Sequence, residues 1–167
     1  MLVLSLCASM LLTAPPADDA GLAAMKALSF LSGRWEGEGW LKQGPGEPQR
    51  FKGQETVEAR LDGRLLTIEG VHRGGTPEHV VHHAFALVSA QPGGGYRFQS
   101  FLADGRALDA RGKLEAGAFV WTFEHPQAGQ LRYTIRVSAD TWLEVGESSR
   151  DGKTWVQVFE MRLTRMR

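Results

Sequence analysis

The stretch Gly33-Arg34-Trp35-Glu36-Gly37-Glu38-Gly39 places one tryptophan among alternating glycines. It follows a short apolar segment and precedes a long series of strand-like segments. Glycine at alternate positions lets a strand bend sharply and lets its backbone pass close to neighbouring strands. A tryptophan on such a first strand predicts a side chain that closes the base of a β-barrel.

The segment before this stretch predicts one short helix, and the remainder predicts only strands. Residues 20–31 carry apolar side chains at three-to-four spacing, and Gly33 is a glycine of the kind that follows a helix. Turn signals, including Asp-Gly pairs at 62–63, 104–105 and 151–152, divide the rest of the chain. We place ten strands at 34–43, 49–61, 64–73, 79–91, 96–103, 107–116, 118–126, 130–138, 142–149 and 154–165.

The short connections between these strands decide the expected topology. Neighbouring strands joined by tight turns must be antiparallel, so the simplest arrangement is an up-and-down meander. Ten such strands tend to close on themselves, because closure removes exposed edges. The predicted fold is therefore all-β: a ten-stranded up-and-down antiparallel β-barrel with one short N-terminal helix. A two-sheet sandwich is the alternative, although it usually needs longer crossover connections.

The first residues predict an export signal rather than part of the barrel. Residues 1–17 form a short apolar run that ends in small residues before Asp18, which is typical of a secretory signal peptide. We therefore expect an exported protein, periplasmic or secreted, with a single domain over residues 20–167. Cys7 is the sole cysteine and lies in the signal segment, so the mature chain would have no disulfide, catalytic thiol or cysteine metal site.

Charge composition and the length of the N-terminal apolar run argue against two classes of partner. Lys plus Arg and Asp plus Glu both number 19, and their signs are well mixed along the chain. A nucleic-acid-binding protein would need a basic patch, so none is expected here. The N-terminal apolar run is too short to predict a stable membrane span. The oligomeric state stays open.

In each strand the more apolar phase is expected to face the barrel interior. Five strands have a clear phase, and the residues expected to face inward are Phe51, Gly53, Glu55, Val57 and Ala59 in the second, Tyr96, Phe98, Ser100 and Leu102 in the fifth, Phe119, Trp121, Phe123 and His125 in the seventh, Leu131, Tyr133, Ile135 and Val137 in the eighth, and Trp155, Gln157, Phe159, Met161 and Leu163 in the last. Three strands are ambiguous. In the third strand we favour Leu66, Ile68, Gly70 and His72. In the fourth strand we favour Val81, His83, Phe85 and Leu87 over Val80, His82, Ala84 and Val88, and in the ninth we favour Leu143, Val145 and Glu147 over Trp142, Glu144 and Gly146.

The resulting interior is aromatic and aliphatic with a few polar side chains, a composition typical of a ligand cavity. We therefore predict a protein that binds a small, largely apolar molecule inside the barrel. The predicted ligand-binding residues are Glu55, His83, Phe85, Phe98, Trp121, Tyr133 and Glu147.

Two other functions remain open. An enzyme acting on a small hydrophobic substrate could use Glu55, His83 or Glu147 as acid or base. A filled barrel with a structural or interaction role would show solvent-facing aromatic side chains such as Trp40 and Trp142. The sequence identifies no catalytic residue, so an enzyme is the less favoured hypothesis.

Histidines are the candidate metal ligands, and their spacing on the strand argues against a shared ion. His82 and His83 point to opposite faces of one strand, and His79 and His83 lie about 13 Å apart by strand rise. We therefore predict no metal site, and no cofactor.

Residues 28–39, Leu-Ser-Phe-Leu-Ser-Gly-Arg-Trp-Glu-Gly-Glu-Gly, resemble the opening of lipocalin-like bacterial families of unknown function and of nitrobindin, a ten-stranded haem-binding barrel. Residues 61–66 and 151–161 resemble the same uncharacterised exported families. The resemblance implies a lipocalin-like fold. It would also imply haem, but the haem-binding histidine of nitrobindin lies near the C-terminus and no histidine follows His125 here. We therefore expect no haem complex.

Overall fold

The computed structural model describes residues 19–167. Helix α1 spans Asp19–Lys26, and a single 3-10 turn at Ser29–Leu31 leads into the barrel. The ten strands are β1 Gly33–Leu41, β2 Gln49–Arg60, β3 Leu65–Gly74, β4 His79–Ala90, β5 Tyr96–Leu102, β6 Ala107–Glu115, β7 Ala118–His125, β8 Gly129–Ser138, β9 Thr141–Ser149 and β10 Val156–Arg165. Each strand lies within a few residues of its predicted position.

Every strand pairs antiparallel with its neighbours in sequence, and β1 closes the barrel by pairing with β10. The closing register places Trp35 opposite Arg165 and Leu41 opposite Phe159. This confirms the predicted ten-stranded up-and-down barrel and excludes the sandwich. The turn between β2 and β3 shows why Asp-Gly pairs predicted hairpins, since Asp62 and Gly63 both have positive φ, 54° and 84°.

One end of the barrel, here called the base, is closed by the helical segment and by Trp35. The Trp35 side chain is fully buried, and its indole N–H donates to the Leu31 carbonyl oxygen at 2.9 Å. The Arg165 guanidinium lies 3.9 Å from the centre of the indole ring and donates to the carbonyl of Ser32. The predicted role of Trp35 at the barrel base is therefore confirmed.

Apolar side chains of the helical segment complete the base. Leu28 and Leu31 are fully buried, and Tyr96 Oη donates to the carbonyl oxygen of Ala24 at 2.8 Å. The opposite end, here called the open end, is formed by the β1–β2, β3–β4, β5–β6, β7–β8 and β9–β10 connections. No helix of residues 19–167 lies across it.

The predicted inward phase is confirmed in β3, β5 and β8 and in most of β2, β7 and β10, and it is wrong in β4 and β9. Ala86 and Val88 are the buried side chains of β4, whereas Phe85 is 42% exposed. In β9 the inward set is Trp142, Glu144 and Gly146. Both strands have apolar residues on two faces, so hydrophobicity alone could not select between them.

A bulge in β10 reverses the phase at its beginning. The register with β9 shifts between Gln157 and Phe159. Phe159, Met161 and Leu163 face inward as predicted, but Trp155 and Gln157 do not. Trp155 instead lies outside the barrel, where the Arg132 guanidinium is 4.1 Å from its ring centre.

The predicted signal segment, residues 1–17, lies outside the described residues. Among residues 19–167, the helices are too short and too polar to traverse a bilayer.

Candidate functional site

Aromatic rings line the barrel interior from strand to strand towards the open end. The Trp121 ring stacks on Phe98 and on Tyr133, with ring centres 4.5 and 4.3 Å apart and planes within 8°. Phe51 stacks on His72 at 4.4 Å, and the His72 ring contacts the His82 ring at 5.0 Å. Together these side chains form the aromatic belt: Phe51, His72, His82, Phe98, Trp121, Tyr133 and Phe159.

Small residues on the strands between make the belt possible. Gly146 lies between Tyr133 and Phe159, and a Cβ there would be 2.6 Å from the Tyr133 ring and 2.8 Å from Phe159 Cβ. Gly39 lies beside Phe51 in a similar way, since a Cβ there would be 2.4 Å from the Phe51 ring and 2.6 Å from the carbonyl oxygen of Glu160. The glycines therefore admit large rings from the flanking strands.

Burial changes along the barrel axis. At the base, Trp35 and Phe119 are fully buried and Trp142 is 1% exposed. Towards the open end, the inward side chains Trp121, Phe123 and Tyr133 are only partly buried. Solvent therefore reaches the aromatic wall from the open end, so a small flat molecule can contact it there.

A buried acid–histidine pair lies within this interior. The Glu55 carboxylate Oε1 is 3.1 Å from His72 Nε2, and both side chains are under a tenth exposed. Burial raises the pKa of Glu55 to about 8 and lowers the pKa of His72 to about 4. Between these values the pair holds one titratable proton and is neutral overall. Gly70 leaves the space that Glu55 occupies, since a Cβ there would be 2.7 Å from Oε1.

Glu144 is a second buried carboxyl, and two indoles face it. Burial, reinforced by the charge of Glu55, raises the pKa of Glu144 to about 8. The indole N–H groups of Trp142 and Trp121 oppose this rise, although neither reaches hydrogen-bond geometry with the carboxyl. Both N–H groups are buried without an acceptor among the described residues. Glu144 also helps burial to raise the pKa of Tyr133 to about 12.

These groups form the mid-barrel polar cluster: the carboxyls of Glu55 and Glu144, the imidazole of His72 and the indole N–H groups of Trp121 and Trp142. At neutral pH both carboxyls are mainly protonated, so they can donate hydrogen bonds. The indole N–H groups of Trp121 and Trp142 are its donors that lack a hydrogen-bond partner among the described residues.

The structure brings four of the seven predicted ligand-binding residues together: Glu55, Phe98, Trp121 and Tyr133. The interior position predicted for His83, Phe85 and Glu147 is wrong. His83 Nε2 lies 2.9 Å from Glu69 Oε1 on the outer surface, and Glu147 accepts from Arg132 at 2.8 Å. Phe85 pairs across strands with Phe101, and both are exposed.

Three further residues of the interior require a correction or an addition. Trp142, expected as a possible solvent-facing aromatic, is buried beside Trp35 with ring centres 5.5 Å apart. The sequence pattern predicts Glu144 on the outer face, but the register of β9 with β8 and β10 turns its side chain inward. His72 was expected to face inward, but no sequence signal linked it to Glu55.

Among residues 19–167, no three His, Cys, Asp or Glu side chains are placed to bind a common metal ion. The sequence matches no protein-family model, and no curated protein shows significant similarity to it.

Solved structures with a similar barrel do exist. Rv2717c from M. tuberculosis matches with a TM-score of 0.65 and 16% sequence identity, over 86% of this chain and 98% of that chain. A protein of unknown function from the DUF3598 family of Nostoc punctiforme matches with a TM-score of 0.25 and 8% identity, over 86% and 99%. At such low identity the similarity to Rv2717c shows a shared fold alone, and the similarity to the Nostoc protein is too weak to show even that.

The residues do not fit a haem held from the closing strand, the site that the sequence resemblance would imply. The inward side chains of β10 are Phe159, Met161 and Leu163, none of which is a histidine. His72 is paired with Glu55.

Proposed function

We propose that this lipocalin-like barrel binds a small, flat, largely apolar molecule at its open end. The observation that carries the proposal is the aromatic belt, whose inward rings at Trp121 and Tyr133 remain partly accessible while the base is sealed. Aromatic walls with few polar groups are characteristic of sites for apolar ligands.

The proposal is tested by titrating the purified protein with N-phenyl-1-naphthylamine, which becomes fluorescent in apolar surroundings. Phe123 lies beside Trp121, with ring centres 5.6 Å apart, whereas Phe101 is 47% exposed on the outer surface. We expect saturable binding that Phe123→Ala weakens about fivefold to tenfold, the value of roughly one aromatic contact. The matched Phe101→Ala variant should bind as wild type does.

Two results would overturn the proposal. One is the absence of a saturable fluorescence gain. The other is equal weakening by Phe123→Ala and Phe101→Ala, because binding would then occur on the outer surface.

An acid–base enzyme is the second candidate, and the 3.1 Å contact between Glu55 and His72 favours it. Stacking of Phe51 on one face of His72 restricts access to the pair and makes binding the better-supported function. Mass spectrometry distinguishes the two functions. If the protein is an enzyme, a small molecule captured from the native source would be released with a changed mass, and Glu55→Gln would stop that change. If the protein only binds the molecule, its mass would stay the same.

We also propose that the protein is exported. The support is the apolar run ending in small residues before Asp18. N-terminal sequencing of protein recovered from outside the cytoplasm should begin near residue 18, and an intact N-terminus inside the cytoplasm would refute export.

A further inference from the structure

The mid-barrel polar cluster contains hydrogen-bond donors that no described residue satisfies. The indole N–H groups of Trp121 and Trp142 are buried, come from β7 and β9, and both face Glu144. A buried N–H without an acceptor is costly, so native proteins rarely keep two in one place. Their convergence points to an acceptor atom that joins the cluster when the protein is loaded.

We propose that the cluster binds an uncharged hydrogen-bond acceptor, such as a ketone or aldehyde oxygen, on an aromatic ligand whose ring lies against the belt. This inference rests on the binding function proposed above and specifies the polar head of the ligand. The ligand enters from the open end, and its oxygen lies between the two indole N–H groups.

The charges and donors of the surrounding residues argue against two charged alternatives. The buried polar side chains of the described chain are Glu55, Thr67, His72, Ser100, Glu144 and Ser149, and none carries a positive charge at neutral pH. A carboxylate ligand would therefore be buried beside two carboxyls without a cation to pair with it. An ammonium ligand has no lone pair, so it could not itself accept from the indole N–H groups.

The belt accounts for the aromatic part of the ligand. Phe98 and Tyr133 hold the Trp121 ring between them, so the orientation of its N–H edge is fixed before a ligand arrives. Trp142 has a single edge-on contact with Trp35, with ring centres 5.5 Å apart and planes at 62°. Donors that are already oriented lose little freedom when they bind an acceptor.

The experiment compares 2-acetonaphthone, which has a ketone oxygen, with 2-ethylnaphthalene, which has nearly the same shape and no acceptor. Hydrogen bonding to the cluster should make the ketone bind about tenfold more tightly. The five tryptophan indole N–H signals in a ¹⁵N-labelled sample report the site directly. Those of Trp121 and Trp142 should move downfield with the ketone only, while those of Trp35, Trp40 and Trp155 should not.

Two variants test whether the preference for the ketone depends on the indole N–H of Trp121. Trp121→Phe removes one N–H and should reduce the ketone preference severalfold while still binding 2-ethylnaphthalene. Trp155→Phe, on the outer surface, should keep the full preference. If Trp121→Phe does not fold, the wild-type indole signals still decide the question.

The possible outcomes distinguish a failure of the acceptor site from a failure of the proposed binding function. Equal affinity for both naphthalenes, with no downfield shift, would overturn the acceptor site and leave apolar binding standing. Tighter binding of 2-naphthylmethylammonium or 2-naphthoate than of the ketone would also overturn it. If none of these compounds binds, the proposed binding function itself fails.

Discussion

Replacing Gly146 with alanine tests whether the aromatic belt is packed as described. An alanine Cβ at this position would lie 2.6 Å from Tyr133 Cε1 and 2.8 Å from Phe159 Cβ. Both distances are far shorter than van der Waals contact, at about 3.5–4.0 Å between carbons. The Tyr133 ring cannot retreat easily, because its face is stacked on Trp121 at 4.3 Å.

The expected cost follows from overpacking. Forcing one extra methyl group into a packed core costs about 1–3 kcal/mol, and replacing a strand glycine by alanine returns about 0.5–1 kcal/mol. We therefore expect Gly146→Ala to lower the free energy of unfolding by about 1–2 kcal/mol. For a chain of this length, that corresponds to a Tm lower by roughly 2–8 °C.

Urea unfolding followed by circular dichroism measures the effect, and Gly46→Ala is the matched control. A Cβ at Gly46 has no neighbour within 4 Å, so this change should be neutral or slightly stabilising. The double variant with Tyr133→Ala should cost less than the sum of the two single changes, because the clash is then relieved. Equal stability of Gly146→Ala and Gly46→Ala, or strict additivity in the double variant, would refute the packing.

The buried carboxyls, the barrel base and the lack of an inward histidine on β10 each lead to a further prediction. Because the folded pKa values of Glu55 and Glu144, about 8, exceed the unfolded value, the folded state holds extra protons, and stability should fall as pH rises from 6.5 to 8. Urea midpoints at pH 6.5 and 8 should show this fall, Glu144→Gln should reduce it, and a rise would contradict the burial argument. Trp35→Ala should cost about 3–5 kcal/mol in urea unfolding, the range for a buried aromatic, whereas the half-buried Trp40→Ala should cost much less. Haemin titration should give only the spectrum of a non-specific carrier; a sharp Soret band with one-to-one saturation, lost in His82→Ala or His125→Ala, would show that this expectation is wrong.

The side chains of β4 that face inward could not be predicted from the sequence. Val81 and Phe85 are as apolar as a core face requires, yet Val81 is 48% exposed and the Phe85 ring lies beside Phe101 on the outer surface. Hydrophobic alternation predicts an orientation only when one face is clearly more polar than the other. In β4 neither face is, so pairing with β3 and β5 determined which side chains enter the barrel.

The polar cluster depended even more on tertiary structure. Glu144 and Gly146 look unlike barrel-filling residues beside Leu143 and Val145, but they face inward because Tyr133 and Phe159 fill the space that the glycine leaves. Glu55 and His72 are 17 residues apart, and only the pairing of β2 with β3 brings them within 3.1 Å. Size complementarity between strands is a non-local property, which a one-strand pattern does not contain.

By itself, the sequence determined the barrel: the glycine-flanked Trp35, the Asp-Gly turns and ten alternating segments are local signals, and short connections leave few topologies. Tertiary structure alone decided the site. The belt, the buried Glu55–His72 pair and the two unsatisfied indole N–H groups each join residues from different strands. Turns and periodicity act over a few residues, whereas register and closure act across the whole barrel, so the fold was predictable and the chemistry of its interior was not.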